Sequence, residues 1–149
     1  MNSFMKCVNK TSRCAALFRG ERLEEEGISG YQDVYILVVC NHPGISQDQL
    51  ARRICVNKSN VTRQLTLLEQ NGFVTRKPCP RDRRIMEVFP TDRALEILPK
   101  VREVNREWSD YLMEEFTPAE REQLIGMMER VMNRAVERLI RDRKGEPDA

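Results

Sequence analysis

Histidine is almost absent from this chain: His42 stands alone. One imidazole leaves acid-base catalysis without a second titrating partner, and with scattered thiols it does not supply the ligand spacing of a zinc site, although Cys40 is close by. A Gly-rich phosphate loop and a nucleophile elbow are missing too, so no catalytic residue, metal or cofactor is expected, and His42 reads as the mark of a helix end. Apolar runs are short. The longest, Val34 to Cys40, is bounded by Asp33 and Asn41 and falls far below the roughly 18 residues of a membrane span. The N-terminus carries no long apolar signal segment, which places the chain in the cytoplasm. Five cysteines (Cys7, Cys14, Cys40, Cys55 and Cys79) are an odd number without paired spacing, which argues against a disulfide framework and for a reducing compartment. Internal repeats and low-complexity tracts are absent as well.

What is present is a chain of 149 residues with 40% hydrophobic and 32% charged content, enough to bury a core, with an Arg, Glu and Leu surplus that leans toward helix. Net charge is only +2, yet it is unevenly spread. From Ile45 to Pro90 nine Lys/Arg (Arg52, Arg53, Lys58, Arg63, Arg76, Lys77, Arg81, Arg83, Arg84) face four acids (Asp48, Glu69, Asp82, Glu87), a local +5 that leaves the remainder at −3. A basic module between acidic flanks suits a protein that meets phosphate with one part and its own kind with another.

The local signals give an order of elements. Met5 to about Gly20 reads as a helix with Val8, Ala15, Leu17 and Phe18 among its apolar positions, and polar Arg22 to Gly30 as a loop. Ser29 with Gln32 predicts a capping box opening a second helix through Cys40, stopped by Asn41-His42-Pro43-Gly44. Ser46 with Gln49 caps a third helix ending near Ile54, with Ile45 and Leu50 as its staple. Asn57 caps a fourth, with Val56 and Val61 as staple and Gly72 as left-handed C-cap. Phe73 to Lys77 and Ile85 to Phe89 predict a β-hairpin with a seven-residue basic tip. Thr91 caps a long fifth helix carrying Leu95, Leu98, Val101, Trp108 and Leu112. Thr117-Pro118-Ala119-Glu120 restarts a sixth, which carries Leu124, Met128, Val131, Ala135 and Leu139 inward and ends in an Arg/Lys-rich tail. The expected fold is mainly α with a small β-hairpin wing: a winged helix-turn-helix plus a helical dimerisation region, six helices and two to three short strands.

In the fourth helix Val61, Leu65 and Leu68 form one apolar stripe, which leaves Lys58, Ser59, Asn60, Thr62, Arg63 and Thr66 outside it. Short polar and basic side chains are what a helix in the major groove needs. Ser59, Asn60 and Arg63 are candidates for base edges, Lys58, Thr62 and Thr66 for bases or backbone. Arg81, Arg83 and Arg84 at the hairpin tip suit a narrow minor groove and its phosphates. Asp82 cannot serve there through its charge, and its expected role is to hold Arg84 or a neighbouring Arg by a charge-assisted bond. A solvated helix face and a merely soluble loop are the plain alternatives, and the capped helix before and basic hairpin after favour double-stranded DNA. The two long C-terminal helices carry more apolar surface than a small winged helix can cover, so a second copy must bury them, and two-fold symmetry then implies a palindromic site.

The segments Pro43-Gly44-Ile45-Ser46-Gln47-Asp48-Gln49-Leu50-Ala51, Asn57-Lys58-Ser59-Asn60-Val61-Thr62-Arg63, Leu68-Glu69-Gln70-Asn71-Gly72-Phe73-Val74-Thr75-Arg76 and Asp82-Arg83-Arg84 resemble the MarR family of multiple-antibiotic-resistance-type repressors, over nearly the whole length. The resemblance implies intertwined homodimers joined through the first, fifth and sixth helices, pseudo-palindromic operators commonly near the protein's own promoter, and release by a small ligand or an oxidant. It places Asp82 and Arg84 on the family's wing Asp and Arg. The chain departs from the pattern at Pro90-Thr91-Asp92-Arg93-Ala94, where Leu-Thr-x-x-Gly is usual. The expected division is a helical dimerisation region at 1–20 and 91–149 and a winged helix-turn-helix at 29–90. The expected function is a cytoplasmic, sequence-specific DNA-binding transcriptional regulator, a homodimeric repressor released by a small apolar or phenolic ligand. Phe18, Tyr31, Tyr35 and Trp108 are candidates to line that ligand's pocket, each also readable as plain core. Thiol oxidation is the competing signal: Cys14 shares the first helix with the sensing cysteines of some peroxide-responsive relatives, and Cys79 lies on the wing among Lys77, Arg81 and Arg83, the kind of cationic surroundings a reactive thiol would need. Cys7, Cys40 and Cys55 read as small core fillers. A winged-helix protein-interaction module that does not bind DNA specifically is the alternative from another class.

Overall fold

The structure, a computed structural model, describes residues 3–144, with side chains through residue 140. The described residues form six helices and one three-stranded sheet in the order α1 (Phe4–Arg22), α2 (Asp33–Asn41), β1 (Ile45–Ser46), α3 (Gln47–Ile54), α4 (Lys58–Gln70), β2 (Val74–Pro78), β3 (Met86–Pro90), α5 (Asp92–Met113) and α6 (Pro118–Lys144). The sheet is antiparallel in the order β1-β3-β2. Ile45 pairs with Val88, and Val74 to Pro78 run opposite Pro90 to Met86. Both hairpin strands lie one residue later than the sequence predicts, which leaves the tip seven residues long, 79–85. This is the mainly α winged helix-turn-helix expected, with β1 as its third strand.

Local capping fixes the helix starts. Ser46 Oγ accepts from Gln49 N at 3.1 Å while Gln49 Oε1 accepts from Ser46 N at 3.1 Å, so the box before α3 is closed on both sides. Asn57 Oδ1 takes the Asn60 N–H at 2.8 Å at the head of α4. Gly72, at φ +80, follows the C-cap of α4 in the left-handed region that side chains avoid. Between α3 and α4 the chain turns on Cys55 itself, at φ 56 and ψ 45, which the sequence does not announce.

The chain divides within α5, after Trp108, into two compact units. The core of the first is one cluster: Leu23 and Ile28 from the loop after α1, Tyr35, Ile36 and Val39 from α2, Leu50 from α3, Val61, Leu65 and Leu68 from α4, Phe73, Val74 and Val88 from the wing, and Ala94, Val101 and Val104 from α5. Each fully buried Leu, Val or Phe contributes about 1.5–3 kcal/mol relative to exposure. The loop at 22–30 is polar by count, yet Leu23 and Ile28 make it a core element.

Three expectations need correction. The second helix begins at Asp33, not Ser29. Gln32 Oε1 does take the Ser29 N–H at 3.0 Å, but the Gly30 carbonyl that a helix there would use accepts instead from Arg19 Nε at 2.9 Å. In α5, Leu95 is 48% exposed, while Val101, on the expected stripe, is buried together with Ala94 and Val104. Pro99, inside α5, cannot donate to the Leu95 carbonyl. On α1, Ala15 and Ala16 are buried while Leu17 is 68% exposed.

In the second unit, Thr117 N donates to Glu120 Oε2 at 2.8 Å and Glu120 N to Thr117 Oγ1 at 3.3 Å, the closed box that starts α6. Arg121 Nε donates to the Phe116 carbonyl at 2.9 Å across the turn. No side chain described on α6 is buried. Met128, Val131 and Leu139, which the sequence places inward, are exposed in the single chain, as are Ile125, Met127, Met132 and Ile140. The Arg/Lys-rich tail lies outside the residues whose side chains are described.

Candidate nucleic-acid interface

The apolar stripe of α4 is buried to the last atom, since Val61, Leu65 and Leu68 are each 0% exposed. A helix pinned along one stripe presents the opposite face, and Ser59, Thr62 and Arg63 are exposed there with Lys58 at the N-terminus. Their local bonds restrain them. Ser59 Oγ donates to the Asn57 cap at 2.9 Å, and Asn60 Oδ1 accepts from Arg63 Nη2. Thr62 Oγ1 donates back to the Lys58 carbonyl at 3.0 Å, and Lys58 Nζ lies 3.3 Å from Asp48 on α3.

Thr66 belongs to a different cluster. Its hydroxyl donates to the Thr62 carbonyl at 2.9 Å and accepts from Arg76 Nη2 at 3.1 Å. Arg76 also donates to Gln47 Oε1 at 3.3 Å and Glu69 Oε1 at 3.2 Å, while its backbone N–H reaches Glu69 Oε2 at 3.1 Å. By charge alone Arg76 counted as one more surface cation. Its half-buried guanidinium instead ties β2 to α3 and α4, setting the wing against α4. The Glu69 and Gln47 acceptors are distant in sequence, and no local signal marks them.

At the wing tip Asp82 Oδ1 accepts from Arg84 N at 3.1 Å and Nε at 3.0 Å, and Oδ2 from Arg84 Nη2 at 2.9 Å. The side-chain bond to Arg84, then the backbone bond, lower the Asp82 pKa, and the same pair raises that of Arg84. The guanidinium stays 90% exposed, so it is oriented without being hidden. Arg81 and Arg83 are exposed beside it. Cys79 N donates to the Ile85 carbonyl at 2.7 Å, closing the base of the tip.

A second network positions α4 from behind. Gln32, buried in the turn before α2, donates through Nε2 to Gln64 Oε1 at 3.0 Å. Next to Gln32, buried Asp33 lies 3.3 Å from Arg19 Nε and accepts from Asn105 Nδ2 at 3.0 Å, joining α1, α2 and α5.

The four aromatics do not gather into one lining. Phe18 and Trp108 stack at 5.0 Å between centroids and 30° between planes, with Arg22 over Phe18 at 5.6 Å. Tyr31 is 60% exposed, whereas Tyr35 is 2% exposed with its hydroxyl buried and unpaired. Burial raises the Tyr35 pKa, and the charge of Arg63 opposes the rise. A groove of about 500 Å³ runs along α1, lined by Leu17, Gly20, Ile28 and Gly30 among others. Of the cysteines read as core fillers, Cys7 and Cys55 are exposed; Cys55 is the left-handed C-cap that turns the chain after α3, while Ile54 and Val56 on either side pack against the core. Cys40 is half-buried, and burial pushes its thiol pKa up. Cys14 is exposed and Cys79 half-buried. Among the described residues no group of three His, Cys, Asp or Glu could hold a metal ion, and no helix is long and apolar enough to cross a membrane.

Comparison with known proteins gives concordant findings. The profile of the MarR family matches residues 36–86, from α2 to the start of β3. An uncharacterized HTH-type transcriptional regulator of Bacillus subtilis (strain 168), YybA, is 24% identical over 131 residues, covering 88% of this chain and 87% of its own. A crystal structure of MarR is 31% identical with a TM-score of 0.82, covering 91% of this chain and 92% of that one. A MepR–DNA complex from S. aureus shares the fold at 16% identity and a TM-score of 0.83, over 89% of this chain and 98% of that one.

Proposed function

The chain belongs to the MarR family, and from that footing we propose that it is a sequence-specific DNA-binding transcriptional regulator, a homodimeric repressor that releases a pseudo-palindromic operator when a small ligand binds. The observation that carries this reading is the pairing of two presented surfaces: the Ser59, Asn60 and Arg63 face of α4, held from behind, and an arginine wing whose Arg84 is oriented by Asp82. Base edges are read by the first, and phosphate and minor groove are held by the second. Lys58 and Thr62 flank the reading face. Thr66, engaged by Arg76, contributes to the wing's placement more than to a base. Residues 29–90 act as the reading module.

Dimerisation belongs to residues 1–20 and 91–149. The exposed Ile125, Met127, Met128, Val131, Met132, Leu139 and Ile140 of α6 support it, since such apolar surface calls for a second copy. The ligand is small and apolar or phenolic, and acts by preferring the conformation that does not fit DNA. The lack of an acceptor or donor at the buried Tyr35 hydroxyl favours Tyr35, with Phe18, Tyr31 and Trp108, as the region to probe first.

Fluorescence anisotropy with DNA from upstream of the protein's own gene and a scrambled duplex tests the reading. If three of the nine cations from Ile45 to Pro90 meet phosphate in each copy, a dimer makes about six contacts and loses roughly a thousandfold in affinity between about 50 and 200 mM salt. Steep salt dependence with a preference for the upstream duplex is expected. Weak, salt-insensitive association would instead point to a protein-interaction module.

A further inference from the structure

The end of the recognition helix and the start of α5 are joined by more than the hairpin between them. A helix leaves its last carbonyls without internal partners, and cations are favoured there. On α4 the Asn71 carbonyl is taken by Arg93 Nη1, from the first turn of α5. The same guanidinium donates through Nη2 to the Glu26 carbonyl at 3.1 Å, in the loop after α1, and lies 4.4 Å from the centroid of buried Phe73. Thr91 adds two bonds, Oγ1 to the Gly72 carbonyl at 2.6 Å and N to the Phe73 carbonyl at 3.1 Å. Further along α5, Lys100 Nζ pairs with Glu26 Oε1, so that loop is held to α5 at two points.

We propose that Arg93 is the positioning residue that fixes the angle between the recognition helix and α5, and thereby the half-site spacing the dimer accepts. The proposal rests on reading the chain as a dimeric DNA-binding regulator. In that dimer α5 belongs to the frame shared by two copies and α4 is the reading head, and the contacts of Arg93 and Thr91 lie where head meets frame. Arginine suits the place because its planar fork serves two carbonyls at once while its face covers a ring; lysine offers a single compact charge. Both terminal nitrogens are already taken by backbone carbonyls of the chain, so the role proposed for Arg93 is to steer α4 rather than to grip a phosphate.

The test uses the full chain and a duplex that the wild type selects from a random DNA pool, with versions carrying one base pair more or fewer at the dyad. One base pair displaces and rotates the two half-sites, and the wild type is expected to lose about tenfold or more. Arg93→Met and Arg93→Lys should both bind the selected duplex about tenfold more weakly, with the spacing penalty falling to about threefold or less and the salt slope unchanged. Thr91→Val, which removes the bond to the Gly72 carbonyl together with the cap that Thr91 Oγ1 gives the Ala94 N–H at 3.3 Å, should move the same way to a smaller extent. A wild-type spacing penalty in folded Arg93→Lys and Thr91→Val would overturn the proposal. So would uniform weakening on every duplex with the salt slope reduced by about one, the mark of a phosphate contact. A wild type that selects no duplex overturns the underlying reading as well, so the two failures are told apart by which protein shows them.

Discussion

Gly30→Ala and Gly20→Ala add the same methyl group on either side of one close approach, and the structure assigns them opposite signs. A Cβ on Gly30 would lie 1.8 Å from the Ala16 carbonyl oxygen, 2.6 Å from its carbon and 2.9 Å from the Ala16 Cα. Reaching even 3.0 Å from that oxygen requires α1 and the turn before α2 to part by 1.2 Å. Neither side can yield by rotating a side chain, since the obstacle is backbone. Such overpacking costs about 1–3 kcal/mol. The shift also strains the Arg19 Nε bond to the Gly30 carbonyl at 2.9 Å, a charge-assisted contact worth about 1.5–3 kcal/mol. Together these predict a loss of about 3–5 kcal/mol. On Gly20 a Cβ meets Gly30 N at 3.6 Å and Cα at 3.9 Å, ordinary contact, and alanine gains up to about 1 kcal/mol within a helix. At about 2–4 °C per kcal/mol for a chain of this size, the melting temperature should drop by roughly 6–20 °C for Gly30→Ala. It should hold or rise for Gly20→Ala. Thermal unfolding followed by circular dichroism at matched protein concentration checks both, because the midpoint of any chain that self-associates depends on concentration. Gly30→Ala within about 1 kcal/mol of wild type, or less damaging than Gly20→Ala, would refute the reasoning.

Further outcomes are expected. Arg63→Ala should weaken specific binding and blur sequence preference, whereas Arg83→Ala should weaken binding to most sequences alike; equal losses on specific and scrambled duplexes for both would break this division of labour. Tyr35→Phe removes a buried hydroxyl that has no hydrogen-bond partner and should leave stability unchanged or raised, so a loss above about 1 kcal/mol in urea unfolding would mean that the hydroxyl has a partner in solution. The bond from Lys100, set against partial burial, holds the Glu26 carboxyl below its usual 4.5. Its contribution to stability is therefore complete above about pH 4.5 and lost as the pH falls through the lowered value, so Glu26→Gln should flatten the acid limb of a stability profile. An unchanged acid limb would remove Glu26 from that account.

Elements set by neighbours in sequence were legible, and those set by distant partners were not. The boxes at Ser46 with Gln49 and Thr117 with Glu120 close over three residues, so residue types alone declare them, as they do the Asn57 cap and the apolar stripe of α4. The start of α2 could not be read the same way. Ser29 and Gln32 have the right spacing, but the carbonyl between them is claimed by Arg19, eleven residues back. Arg76 and Arg93 show the same limit for the interface. Each looks like a surface cation, and each is occupied by acceptors from other elements that no local pattern predicts. Cys7 and Cys55 were misplaced because a small thiol fits a core and a surface equally well, and Leu95 because a helical period does not say which of two adjacent stripes faces inward.

Gln32 and Gln64, which brace the recognition helix from behind, carry no charge. Electrolyte that breaks contacts to phosphate screens exposed charges and acts little on a partly buried amide pair. Salt that competes at phosphate contacts therefore leaves this brace closed. Recapture on dilution then needs no re-forming of the brace, and its speed is expected to follow encounter and electrostatic steering. A molecule that frees the DNA by turning the head must add a slow conformational step to recapture, so the kinetics of rebinding distinguish the two kinds of release even where their equilibrium effects are equal.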